Sequence, residues 1–121
     1  MSPGSLLLVA LGGALGSVAR AIAGHLIPAG RLPWGTVGVN VAGSLLIGVL
    51  MARFAGAGGE DPRAQQFWVL GVCGGFTTFS SFSWQTFDQL QKGAWGTAAL
   101  HVALSVGVCV AATALGWRLA R

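Results

Sequence analysis

Between Gly71 and Gln85 the chain reads Gly-Val-Cys-Gly-Gly-Phe-Thr-Thr-Phe-Ser-Ser-Phe-Ser-Trp-Gln, a dense mixture of hydroxyls and phenyl rings. Thr77, Thr78, Ser80, Ser81 and Ser83 supply five hydroxyls, each with one proton to donate. Phe76, Phe79 and Phe82 recur every three residues along one side of a helix, with Thr78, Ser81 and Gln85 on a neighbouring track. Phenylalanines at this spacing ordinarily serve packing or face lipid. Interleaved with hydroxyls they permit a second chemistry, because the positive edge of a phenyl ring and a donated O–H both suit a small dehydrated anion and neither attracts a cation. The surrounding residues have the apolar character of a membrane span, and hydrocarbon satisfies neither hydroxyls nor loose backbone groups. Such a stretch must be buried in protein or border a path for something polar. The pair Gly74-Gly75 can open the helix there and free carbonyl oxygens, which attract cations.

Enzymatic chemistry has little to work with. The carboxylates are Glu60 and Asp61 in a polar loop and Asp88 near the end of a span, so no paired acid and base or carboxylate metal cage falls within the membrane. No base and orienting group stand beside the hydroxyls. Cys73 and Cys109 lack metal-ligand or Cys-x-x-Cys spacing and read as reduced, packed thiols.

The elements that must position these residues follow from composition. Of 121 residues 54% are hydrophobic and 8% charged, which marks an integral membrane protein. Four stretches satisfy the roughly 20 apolar residues that a span needs: Leu6 to Ile27, Trp34 to Phe54, Phe67 to Leu90 and Trp95 to Leu119. They form a single four-span domain over residues 1–121, all-α, with the third helix broken. Trp34, Trp68, Trp95 and Trp117 fall near predicted span ends, as an interfacial belt requires. The opening Met-Ser-Pro-Gly has no basic region, so no removable leader is expected. The basic residues are spread along the chain and read as membrane-flanking charges; no nucleic-acid partner is expected.

With four spans, Arg53, Arg63, Arg118 and Arg121 lie on one side and Arg31, Lys92 and Arg20 on the other. This small difference either suffices to orient the chain or leaves it free to insert both ways, and opposite insertions can pair about a two-fold axis in the membrane plane.

Other polar residues are set at helical spacing. In the first span Gly12, Gly13, Gly16, Ser17, Ala21 and Gly24 make small faces for close helix approach. Arg20 either snorkels to the interface, pairs structurally, or attracts anions into a vestibule. Thr36, Asn40, Ser44 and Gly48 form an i, i+4 stripe in the second span, where the Asn40 amide either ties helices together or contacts a polar permeant. Thr97, His101, Ser105, Cys109 and Thr113 repeat the stripe in the fourth, where His101 has no acidic partner within its span.

Three motifs in this order, Gly12-Gly13-Ala14-Leu15-Gly16-Ser17-Val18-Ala19-Arg20, Gly35-Thr36-Val37-Gly38-Val39-Asn40-Val41-Ala42-Gly43-Ser44 and Gly71 through Ser83, resemble the Fluc (CrcB-type) fluoride channels over nearly the whole chain. The resemblance implies an antiparallel, dual-topology homodimer with two fluoride pores and a structural sodium ion (Na+) held by the backbone carbonyls of Gly74 and Thr77 from both chains. It assigns Phe79, Phe82 and Asn40 to the fluoride path, together with Thr78 and Ser81 on the polar track and Ser105 and His101 in the fourth span. Arg20 matches the vestibule arginine. Three positions depart from the pattern: Ala21 stands where an aromatic is common, Gln85 where a glutamate is, and His101 where a tyrosine is frequent, an exchange expected to add pH sensitivity.

The expectation is a passive channel in the bacterial plasma (inner) membrane that exports fluoride, with lipid, fluoride and a second copy as its partners. The alternative is a small dual-topology multidrug or cation exporter, which needs a carboxylate in its first span where this chain has none. A structural membrane subunit would explain the small faces but not the polar stripes.

Overall fold

The computed structural model describes residues 1–56, 58 and 61–121, and Glu60 lies outside them. Helix α1 (Pro3–Leu26) starts on Ser2, whose hydroxyl accepts the Ser5 amide at 3.1 Å, with Pro3 preset for the first turn. Ile27 turns extended before Pro28, as the proline ring requires of its predecessor, and the helix ends. Helix α2 (Trp34–Gly56) follows. Asp61 then caps α3 (Pro62–Gln65) by accepting the Arg63 amide at 3.0 Å. This helix passes through a π-helical stretch, Gln66–Cys73, into α4 (Gly74–Phe76) with helical dihedrals at each junction. After a break come α5 (Phe79–Gln91), α6 (Trp95–Ala103), a second π stretch (Leu104–Val108) and α7 (Cys109–Ala120), the last three forming one continuous helix with α6 at its head. Gly93, at φ 75°, closes α5: its amide reaches the Leu90 carbonyl and that of Ala94 reaches Gln89, both satisfying carbonyls that the helix end leaves free.

Pro3–Leu26, Trp34–Gly56 and Trp95–Ala120 are long and apolar enough to cross a membrane. The third predicted span is the interrupted one. Its interruption, however, is not at Gly74-Gly75, which are both helical, but at Thr77 (φ −81°, ψ 158°) and Thr78 (φ −148°, ψ 111°).

The glycines serve contact instead. In lipid there is no hydrophobic drive between helices, so association rests on close packing. A Cβ on Gly12 or Gly16 would overlap backbone of Phe67 or Val72, and one on Gly75 would lie 2.5 Å from the Gly13 carbonyl oxygen and 3.1 Å from the Ser17 amide. Thus α1 lies directly on the backbone of the Gln66–Phe76 rod. Gly48 and Gly116 do the same for α2 against α7, where Thr113 also donates its hydroxyl to the Ser44 carbonyl at 3.0 Å. By contrast, a Cβ on Gly74 meets nothing nearer than 3.8 Å. Gly75→Ala is therefore expected to destabilise the protomer by about 1–3 kcal/mol, the usual cost of overpacking, while Gly74→Ala leaves it unchanged; thermal unfolding of both variants in detergent checks the contrast.

The second π stretch affects which side chains stay buried. An i, i+4 stripe drifts around an ordinary α-helix, but i→i+5 hydrogen bonds widen the turn and counter that drift. Ser105, within the stretch, accordingly stays on the buried face that Thr97 and His101 occupy in α6.

Candidate functional site

The break is held open by Asn40. Its Oδ1 accepts the Thr78 amide at 2.7 Å and its Nδ2 donates to the Thr78 carbonyl at 3.1 Å, so one side-chain amide replaces both backbone partners of an extended residue. In an unbroken helix the Thr78 amide would bond the Gly74 carbonyl, and the Ser81 amide that of Thr77. The second is diverted as well, because Thr78 caps α5 by accepting the Ser81 amide on Oγ1 at 3.2 Å. The carbonyls of Gly74 and Thr77 are thereby released from the helical ladder. The Thr77 hydroxyl back-bonds to Cys73 at 2.9 Å, and Ser17 donates to Gly75 at 3.5 Å.

A cleft of about 520 Å³ opens over this break. Asn40, Gly74, Thr77, Thr78, Phe79, Phe82 and Ser105 all line it, so it unites most of the residues expected from the sequence. Thr78 also borders a second cleft of about 380 Å³, lined by Arg20, Thr36 and Ser81. The arginine is thus separated from the phenylalanines by one buried threonine, whose hydroxyl donates to Ser81 Oγ at 3.1 Å.

The two phenylalanines differ. Phe79 is 77% exposed on the protomer, whereas Phe82 is 8% exposed. Their ring centroids stand 5.3 Å apart at 56°, and Phe82 meets the His101 ring at 5.0 Å and 71°, an edge-to-face approach. His101 is fully buried and lines neither cleft. Ser105, one turn along, does reach the larger cleft, with its hydroxyl unpartnered among the described residues. The side-chain Oε1 of Gln85 is likewise buried without a partner among them, and Gln85 borders a separate cleft of about 780 Å³ with Arg31, whose Nε donates to Thr97 Oγ1 at 3.1 Å. Ala21 is exposed beside Arg20.

One residue with a place in this network was not singled out from the sequence. Thr86 donates to the Phe82 carbonyl at 2.8 Å and lies 3.2 Å from His101 Nδ1. Spacing alone does not separate it from an ordinary helix-surface threonine.

Residues 7–117 match the family described as "CrcB-like protein, Camphor Resistance (CrcB)". A protein named fluoride-specific ion channel FluC from Methylobacterium radiotolerans is 46% identical over 121 residues, covering 96% of this chain and 84% of its own. The chain belongs to the CrcB family. Further FluC relatives, from Nitrobacter winogradskyi at 44% identity (96% of this chain, 94% of the relative) and Rhodospirillum rubrum at 46% (91% and 89%), cover similar extents. With three long apolar helices among the described residues, this CrcB-family member is a multi-pass bacterial membrane protein. The CrcB match contains the whole break, the Asn40 clamp and both clefts.

Proposed function

We propose that the protein is a passive fluoride channel, not an enzyme, acting as an antiparallel homodimer with two pores. Its relatives are named fluoride-specific ion channels, and the residues gathered at the break suit that role chemically. The observation that carries the reading is the cleft over Thr77 and Thr78, which offers an amide, hydroxyls and phenyl rings but no side-chain charge. Such neutral groups replace part of an anion's hydration without trapping it. Arg20, in the adjoining cleft, draws anions toward it without becoming a ligand in the narrow part.

A homodimer fits the unfinished state of the protomer. Phe79 projects outward at 77% exposure, Gly74 is exposed, and the cleft is open on that side. A second, inverted copy would close it. The released carbonyls of Gly74 and Thr77 fit the structural sodium implied by the family, because neutral carbonyl dipoles suit a monovalent cation better than a divalent one. Two copies would supply both carbonyls twice. The ion would link the two breaks and add positive potential near the anion paths.

Purified protein in liposomes, followed with a fluoride electrode, tests the function. The expected result is electrogenic fluoride efflux without a proton gradient; efflux that requires one would favour an exporter. The dimer has its own test. C-terminal tags should be accessible from both sides of the membrane in one population, and two or three added lysines in one loop should fix the orientation and reduce flux by about tenfold or more. Uniform orientation of active wild type would remove the antiparallel arrangement.

A further inference from the structure

The hydrogen-bond arithmetic around Thr86 determines the state of a buried histidine. A threonine hydroxyl has one proton to give. At Thr86 that proton faces the Phe82 carbonyl at 2.8 Å, and a carbonyl oxygen only accepts. The contact of the same hydroxyl with His101 Nδ1, at 3.2 Å, must then run the other way, with the ring nitrogen donating. A neutral imidazole has a single N–H, so Nε2 is left as a bare lone pair. It is buried and has no partner among the described residues. The ring itself is fully enclosed and stands edge-to-face against Phe82, at 5.0 Å and 71°.

We propose that Thr86 is a positioning residue, which fixes His101 as the neutral Nδ1–H tautomer and thereby holds the Phe82 ring against an imidazole whose buried Nε2 carries no proton. This deepens the channel reading above and rests on it for its consequence, though not for its chemistry. An Nε2–H buried there would be an orphan donor in a low-dielectric environment, and the ring would turn to satisfy it, disturbing Phe82, which packs on it and lines the larger cleft. The lone pair avoids this, and Thr86 excludes the competing tautomer by occupying Nδ1–H. The carbonyl of Phe82 completes the relay from α5 backbone to α6 side chain.

The chain has two histidines, so a His25→Gln background leaves His101 as the only imidazole. His25 is exposed on the last turn of α1, away from this network. Nitrogen-15 NMR of that protein with labelled histidine, at about pH 8 where imidazole is ordinarily neutral, should show Nδ1 protonated and Nε2 bare. Thr86→Val, which keeps the shape and removes the hydroxyl, should shift the signal toward the Nε2–H tautomer and lower fluoride efflux roughly tenfold, the scale of one altered buried hydrogen bond. Thr86→Ser should restore both. The NMR reading does not depend on which ion crosses, so it stands even if fluoride transport fails. An Nε2–H signal in the unsubstituted network, or an unchanged tautomer in Thr86→Val with Thr86→Ser folded normally, would overturn the assignment. A full tautomer shift with undiminished efflux would overturn its role in conduction.

Discussion

Fluoride efflux should fall by at least about a hundredfold when Phe79 or Phe82 is replaced by isoleucine, a change of roughly 2.7 kcal/mol in the barrier to passage. Isoleucine retains bulk and apolarity but has no ring edge, so it removes the quadrupole interaction and little else. The two positions separate conduction from folding. Phe82 is buried against His101, and its loss also disturbs protomer packing, whereas Phe79 is 77% exposed and can change without creating a cavity in the protomer. Phe79→Ile is therefore the cleaner variant. Efflux from liposomes, together with size-exclusion chromatography to show that the assembly persists, measures the effect. Near-wild-type flux in both variants would return the rings to a packing role.

Asn40→Ala is expected to abolish flux by another route. The substitution leaves the Thr78 amide and carbonyl without the partners now at 2.7 and 3.1 Å, and each buried orphan costs about 1–3 kcal/mol. The cheapest repair is for the Thr78 amide to return to the Gly74 carbonyl and heal the helix. That repair withdraws an oxygen from the proposed sodium site. Wild-type protein should then gain thermal stability as sodium replaces a large organic cation, by the mass action of a ligand bound only to the folded state. Asn40→Ala should lose that dependence together with flux. Sodium stabilisation that persists in the variant would show that the clamp and the cation site are independent.

The sequence made the apolar helices legible because span length and tryptophan placement are local properties. It also identified the polar residues that meet at the break, since hydroxyls and an amide are conspicuous among apolar neighbours. The location of the break was not legible. Gly74 and Gly75 advertise backbone freedom, but Gly75 is used for contact with α1, and the helix opens where Asn40 reaches it from 38 positions away in the chain. No local pattern encodes that clamp. The two π stretches were likewise invisible, and with them the reason His101 and Ser105 share a buried face. Thr86 escaped notice because its importance lies in which partner takes its single proton.

The π stretch at Leu104–Val108 has a consequence for how sequences of this length can vary. It behaves as an insertion absorbed without a loop: one residue too many for an α-helix, stored as a wider turn. Winding the same residues as a regular α-helix would rotate everything beyond them by about 100° relative to α6. Thr113 would leave the Ser44 carbonyl, and Gly116 would turn away from the Leu45 backbone it now touches. The wider turn thus keeps two surfaces in phase, and loss of one residue within it, which regular winding absorbs, is tolerated where the same loss elsewhere along this helix is not.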